Sequence, residues 1–191
     1  LKYLASFPED HLGRRMVGVE DRYRADGVVT FGREELSRRI GAAGLGHQEW
    51  LFPFPDYKLP TVVISERALA PEPAIDVAPL IAGTARHPYQ QGDSLTFDLE
   101  RAWHVVARNG LVPELANSFL VRASATPLSN PRNVAWHYGS PSRRPEFTKS
   151  TEFAVEPSGV VVRRRPLVPG LATTVDGVSM VLEDEPYAPG L

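Results

Sequence analysis

A mixed α/β fold is predicted by two observations along this chain of 191 residues. Up to about residue 123, helical segments with an apolar stripe alternate with short β-branched and aromatic runs. Beyond about residue 135, strand-like runs separated by turn signals dominate. We therefore predict an α/β part at 1–123, a linker rich in proline and small polar residues at 124–135, and a β-rich module at 136–191.

Two helices are predicted from apolar periodicity and from residues that favour helix ends. The first follows Gly32, has glutamates in its first turn, and ends at Gly44 or Gly46. The second is predicted for 95–109, with Ser94 as its N-terminal cap. A short third helix is predicted near residues 76–82.

Strands are predicted wherever β-branched and aromatic residues cluster between turn signals. The turn Pro157-Ser-Gly159 is typical of a hairpin and joins two of these runs. Phe119–Val121 is predicted to be a short buried strand. The other predicted strands are at 47–54, 61–65, 148–155, 160–165 and 179–182.

The segment Phe52-Pro-Phe-Pro-Asp-Tyr-Lys-Leu-Pro60 is the most distinctive in the chain. Proline fixes φ and has no N–H, so a central strand paired on both sides cannot run through all of it. We predict that the strand leaves its sheet here and that a stiff turn holds Asp56, Tyr57 and Lys58. Such a turn at a strand end is where binding groups tend to lie. The alternative is a proline-rich surface connection without a ligand.

Composition excludes several classes of function. The net charge is −2, so no overall electrostatic attraction to nucleic acid or to an anionic membrane is expected. The absence of cysteine excludes disulfides, thiolate metal sites and cysteine nucleophiles. No apolar run approaches the roughly 20 residues that a membrane helix needs. We predict a cytoplasmic protein without membrane insertion.

Three clusters of polar residues could each have a functional role or a structural one. Glu9-Asp10-His11 could bind a metal or act as a general base, or Asp10 could cap a turn; no second ligand cluster supports a metal. Asn117 and Ser118 could line a pocket or satisfy backbone groups beside the strand that follows. Arg163–Arg165 could contact an anion or keep an edge strand soluble.

Several segments together resemble a family of enzymes. These segments are Leu1-Lys-Tyr3, Pro8-Glu-Asp-His11, Thr30-Phe31 with the helix after Gly32, Pro53-Phe-Pro-Asp-Tyr-Lys-Leu-Pro60, and Ala116-Asn-Ser-Phe-Leu120. On these segments, the first 123 residues are similar to the C-terminal half of a class I S-adenosylmethionine-dependent methyltransferase, of the branch associated with bacterial polysaccharide and glycosyltransferase clusters.

The resemblance implies a doubly wound, Rossmann-like sheet with antiparallel edge strands and an acceptor crevice at the carboxyl ends of its strands. The acceptor would be a small molecule or a glycan, and more narrowly a sugar or a phosphosugar. His11 or Asp10 would be the base for its hydroxyl. Tyr57 would form a wall of the crevice and Lys58 would contact an anion. The other residues implied to bind the acceptor are Tyr3, Glu9, Asp56 and Asn117.

The chain departs from this family in one respect. It contains no Gly-x-Gly-x-x-Gly segment, so the half that binds S-adenosylmethionine is expected to be missing, and tight binding of this cofactor is not expected. We interpret the chain as a fragment, inactive alone. From Trp136 onward the chain is similar to the start of a kinase-like lobe. The two resemblances together imply that the protein associates with glycosyltransferase or kinase-like modules. The alternatives are a non-catalytic binding or scaffold module and the structural front part of a kinase-like protein.

Overall fold

A computed structural model describes residues 31–72, 75–85, 98–139, 147–167, 174–175, 178–179 and 184–188. Its helices, in chain order, are α1 (Arg33–Ala42), a 3-10 helix (Glu66–Leu69), α2 (Ala78–Ala85), α3 (Leu99–Arg108) and α4 (Val112–Leu115). Its strands are β1 (His47–Phe54), β2 (Val62–Ser65), β3 (Leu120–Ser124), β4 (Asn133–Tyr138), β5 (Lys149–Glu156), β6 (Gly159–Pro166), β7 (Thr174–Val175), β8 (Val178–Ser179) and β9 (Glu185–Pro186).

The helices begin and end where local signals place them. Helix α1 has Gly32 as its N-cap, and Gly44 follows its end with φ +85°, a left-handed conformation that glycine adopts without strain. Helix α3 begins one residue after Asp98, whose side chain accepts a hydrogen bond from the Arg101 N–H. The predicted start at residue 95 is wrong, because Asp98 is extended and caps the helix from the position before Leu99. Ser94, the predicted cap, lies outside the described residues. The predicted short helix near 76–82 is confirmed as α2.

Seven strands form one antiparallel sheet in the order β3-β1-β2-β4-β5-β6-β9. The hairpin predicted at Pro157-Ser-Gly159 joins β5 to β6, and Gly159 has the positive φ of +122° that this turn requires. Strands β7 and β8 form a separate two-stranded ladder.

Proline 53 lies inside β1, at a position where one side of the strand is unpaired among the described strands. Pairing with β3 runs from His47 to Leu51, whereas pairing with β2 runs from Leu51 to Phe54. The strand therefore passes from one partner to the other at Leu51. Beyond that point it tolerates a residue without an N–H, because no ladder on the β3 side needs one.

One hydrophobic core joins the helices to the sheet. Phe52, Phe54 and Ile64 are fully buried, and Trp103 of α3 packs edge-to-face on Phe54 with 5.1 Å between ring centroids. The same core cluster contains Val134 of β4 and, farther along the sheet, Phe153 and Val162.

The mixed α/β class predicted from the sequence is confirmed. The doubly wound sheet implied by the resemblance is not seen among the described residues, since every strand pairing there is antiparallel and a doubly wound sheet is mostly parallel. Strands from both predicted domains share the sheet, and β4 begins inside the segment 124–135 that was predicted to be a linker. The sheet is thus continuous across the boundary that was predicted between the two domains.

The strand predicted at Phe119–Val121 is present but shifted, and the prediction that it is buried is wrong. Strand β3 begins at Leu120 and is the edge of the sheet, so Leu120 is 57% exposed. The apolar run does not identify the position of the strand in the sheet, because that depends on pairing with β1.

The arginine run of β6 forms ion pairs with the segment around β9. Asp184 accepts hydrogen bonds from Arg165 at 2.8 Å and from Arg163 at 3.0 Å, while Arg164 donates to Glu185 at 2.7 Å. Within the ranges that the structure describes, strand β9 pairs with Val161 and Val162 of β6 and with no arginine of the run. The arginines therefore lie beyond the end of that pairing, which favours the edge-strand interpretation of this run over an open anion site.

Acid is expected to weaken the contact between β6 and β9. The hydrogen bonds from Arg165, and then from Arg163, hold the pKa of Asp184 below its ordinary value of 3.8. Because the pKa of Asp184 is lower in the folded state, its ion pairs stabilise the fold above pH 3.8. This stabilisation is lost as the pH falls through the pKa that Asp184 has in the folded protein. In an Asp184→Asn variant, the protection factors of the Glu185 and Tyr187 amides, which exclude the intrinsic pH dependence of exchange, should fall less between about pH 5 and about pH 3 than in the unmodified chain. An unchanged pH profile in that variant would contradict this assignment.

Candidate binding site

The segment between β1 and β2 forms a closed hairpin loop, here called the Tyr57 loop (residues 55–60). The Thr61 N–H donates to the Phe54 carbonyl at 2.8 Å and closes the loop, and the Phe54–Pro55 peptide bond is cis. The loop therefore begins and ends at the same end of the sheet, where β1 stops and β2 starts.

Two residues far along the chain hold the Tyr57 loop from outside. The Asn117 side-chain amide donates to the Pro55 carbonyl at 2.9 Å, and the Tyr57 N–H donates to Ser118 Oγ at 3.2 Å. The structure thus brings Asn117, predicted as a site residue, next to the segment that carries Asp56, Tyr57 and Lys58. The structure shows the second alternative for the Asn117-Ser118 pair, since both side chains satisfy backbone groups, although these belong to the loop and not to the entry of β3. The alternative that the pair lines a pocket stays a prediction.

Asp56 has a structural contact inside the loop. Its side chain is almost fully buried, and Oδ1 accepts a hydrogen bond from the Lys58 N–H at 2.8 Å. This is the turn that an Asp side chain makes with the backbone two residues on. The contact gives Asp56 a role in holding the loop, whereas its assignment to acceptor binding stays a prediction.

The side chains that follow Asp56 are open to solvent. Tyr57 is 67% exposed and Leu59 is 64% exposed, and Lys58 between them is exposed as well. Lys58 forms no ion pair with another residue in the described ranges. The loop therefore exposes an aromatic ring, an ammonium group and an aliphatic side chain to solvent, while Asn117 and Ser118 hold its backbone.

Tyr138 lies at the same end of the sheet as the Tyr57 loop. Its N–H donates to the carbonyl of Thr61, the residue that closes the loop, at 2.8 Å. Burial, and then the nearby charge of Glu152, raise the pKa of the Tyr138 phenol above its ordinary value of 10.0. The phenol is accordingly neutral near pH 7 and can donate a hydrogen bond.

The remaining predicted site residues, Tyr3, Glu9, Asp10 and His11, lie outside the described residues. Of the eight side chains predicted from the sequence, the structure therefore places Asp56, Tyr57, Lys58 and Asn117. No group of three or more potential metal ligands occurs in the part of the chain that the structure describes.

Two cavities lie away from the Tyr57 loop. The larger, of about 660 Å³, is mostly apolar and lies between the 3-10 helix and the ends of α3 and α4, with Arg108 and Asp76 in its wall. The smaller, of about 460 Å³, lies beside the start of β1 and contains Arg67 and Arg122. Neither cavity was predicted from the sequence, because the walls of each come from segments that are far apart in the chain.

Comparison of the chain with protein-family models, with curated proteins and with solved structures gave no match. Within the described ranges, none of the helices has the length and apolar character needed to cross a membrane.

Proposed function

We propose that the Tyr57 loop binds a sugar or phosphosugar acceptor, and that the chain contributes this acceptor side to an S-adenosylmethionine-dependent methyltransferase. The observation that carries the proposal is a largely exposed tyrosine on a loop whose backbone is hydrogen-bonded to Asn117 and Ser118. Binding to a loop that is already ordered costs less conformational entropy than binding to a mobile one.

The side chains on the loop match a sugar ligand. A tyrosine ring offers a flat apolar face and a hydroxyl group at its end, so it can pack against a sugar ring and still bond to a sugar hydroxyl. The Lys58 ammonium next to it is a point charge of the kind that binds phosphate. The pair therefore suits an acceptor that has both a ring and an anionic group.

The geometry supports binding more strongly than proton transfer for the described part of the site. Methyl transfer requires alignment of donor and acceptor and a route for the proton, and a base is not always needed. Asp56, the carboxylate nearest to Tyr57 in the loop, bonds to the Lys58 N–H. A base, where one is used, would be His11 or Asp10, as the resemblance implies.

The donor would be bound by residues other than those of the Tyr57 loop. The chain has no glycine-rich segment of the kind that holds the donor in the family it resembles. The loop would thus determine which molecule is methylated, while the methyl group comes from S-adenosylmethionine held elsewhere in the enzyme.

Binding of sugars to the chain tests this proposal. Saturation-transfer NMR with neutral monosaccharides, sugar 1-phosphates and nucleotide sugars should reveal ring protons of a ligand in contact with the protein. In Tyr57→Ala the affinity should fall about tenfold, equivalent to about 1.4 kcal/mol. Tyr57→Phe should retain most of it, because the aromatic face remains.

Val105→Ala is the matched control, since Val105 is 62% exposed on α3 and is not part of the loop. It should bind like the unmodified chain. Equal affinity in Tyr57→Ala, or no contact with any sugar of the panel, would contradict an acceptor site at this loop. Binding without methyl transfer in the natural full-length protein supplied with S-adenosylmethionine would favour the non-catalytic binding module instead.

A further inference from the structure

The smaller cavity occupies a gap that opens where β2 turns away from β1. Residues 47–50 of β1 pair with β3 on one side, while pairing with β2 begins only at Leu51. The 3-10 helix that follows β2 and the loop at 127–130 complete the wall around about 460 Å³. This volume lies in the range of about 300–1,000 Å³ that is typical of sites for small molecules.

Both carboxylates in the wall of this cavity are engaged by arginines. Glu49 Oε2 lies 2.8 Å from Arg122 Nε, and Arg122 also donates to the Ser129 carbonyl at 2.7 Å. Glu66 Oε1 lies 3.1 Å from Arg33 Nη1, although Arg33 shares its charge with Glu114 at 3.0 Å. The acidic groups therefore have partners of their own and do not neutralise the remaining arginine of the wall.

Arg67 is that remaining arginine. It is half-buried, and its Nη1 donates to the Pro131 carbonyl. This hydrogen bond connects the 3-10 helix to the end of the loop at 127–130. Among the residues that the structure describes it forms no ion pair, and its Nε and Nη2 form no hydrogen bond. Guanidinium is always charged, and a partly desolvated charge without a counter-charge is unfavourable until an anion binds.

We propose that this cavity binds a small molecule through its oxyanion group, a phosphate or a carboxylate, on the Nε–Nη2 edge of Arg67. That edge of a guanidinium accommodates two oxygens of either group in parallel. The side chains of His47 and Asn130, which also line the cavity, supply further hydrogen-bond donors.

This site is separate from the Tyr57 loop and does not rest on the function proposed for it. The cavity borders the first residues of β1, whereas the loop follows its last residue. The cavity is lined by β1 residues up to Trp50, and the loop begins at Pro55, roughly 16 Å further along at about 3.3 Å per residue. An oxyanion at Arg67 and a sugar ring at Tyr57 would therefore occupy different sites.

Titration of the ¹⁵N-labelled chain with sodium phosphate, and separately with sodium acetate, tests the proposal at an ionic strength held constant with sodium chloride. Signals from the Arg67 N–H groups and from the amides of residues 128–130 should shift and saturate, with a dissociation constant below about 10 mM. A lower constant for phosphate identifies a phosphorylated ligand, and a lower constant for acetate identifies a carboxylate ligand.

Arg67→Gln removes the charge and, because the side chain is shorter, also the bond from Nη1 to the Pro131 carbonyl, so it should weaken anion binding at least tenfold while leaving the spectrum of the sheet unchanged. Arg108→Gln, in the wall of the larger cavity, is the matched control and should bind anions like the unmodified chain. Should Arg67→Gln fail to fold, Arg67→Lys keeps the charge without the fork and should bind phosphate several-fold more weakly. Shifts that never saturate, or equal affinity in the Arg67 variant that folds, would overturn the proposal.

Discussion

Replacing Phe54 by alanine should destabilise the protein by about 3–5 kcal/mol. The side chain is fully buried, and its ring packs edge-to-face on Trp103, so truncation leaves a cavity between the sheet and α3 as well as removing apolar contact. A folded domain typically has a free energy of unfolding of only about 5–15 kcal/mol, so this one change would remove a large part of it. Urea unfolding followed by tryptophan fluorescence measures the loss.

The control for this experiment is Leu59→Ala. Leu59 is an apolar residue of the adjoining Tyr57 loop but is 64% exposed, so its truncation should change the free energy of unfolding by no more than about 0.5 kcal/mol. Similar effects of the two substitutions would contradict the position of Phe54 in the core.

Introducing a carboxylate at Val134 should unfold the α/β part and the β-rich part together. Val134 is fully buried in β4 and belongs to the same core cluster as Phe52 and Phe54. An aspartate there would bury an unpaired charge, for which we expect a loss of at least about 4 kcal/mol. In Val134→Asp, made in a Trp136→Phe background so that only the buried Trp50 and Trp103 emit, far-UV circular dichroism and tryptophan fluorescence should lose their native signals at the same urea concentration.

Ala125→Asp is the matched control, because Ala125 lies in the same segment 124–135 and is exposed. It should leave the unfolding transition almost unchanged. If the segment were a linker between independent units, Val134→Asp would be tolerated as well, and the emission of Trp50 and Trp103 would keep its native form. The comparison therefore decides whether the sheet unfolds as one unit.

Local signals in the sequence were sufficient for the elements whose ends depend on nearby residues. The strand predicted at 47–54 is β1, and the hairpin predicted at Pro157-Ser-Gly159 joins β5 and β6. Helix α1 lies between the two glycines that were expected to bound it. In each case a glycine, a proline or a change of periodicity marks the end.

Features that depend on contacts distant in the sequence could not be predicted in this way. Val134 lies in a segment rich in proline and small polar residues, and only pairing with β2 makes it part of the core. Leu120 is apolar but exposed because β3 forms the edge of the sheet. Arg67 lines a cavity because β2 turns away from β1 at Ser65, which its own neighbours in sequence do not indicate.

The candidate site was predictable only in part, because some of its features depend on local residues and others on contacts distant in the sequence. The proline-rich composition of the Tyr57 loop marked it as a stiff turn, and the loop does carry an exposed tyrosine. Its attachment to Asn117 and Ser118, about sixty residues further on, follows from the position of β3 beside β1. The burial of Asp56 in a backbone contact likewise depends on the turn that the loop adopts.

The proposed acceptor site requires that the Tyr57 loop is ordered before any ligand binds. Backbone ¹⁵N relaxation of the free chain measures this at the amides of Tyr57 and Lys58, which donate to Ser118 Oγ and Asp56 Oδ1. We expect order parameters of about 0.85, the value of rigid backbone. Values under about 0.6 at these two amides would mean that the loop moves freely in the absence of ligand, and would contradict a preformed acceptor site.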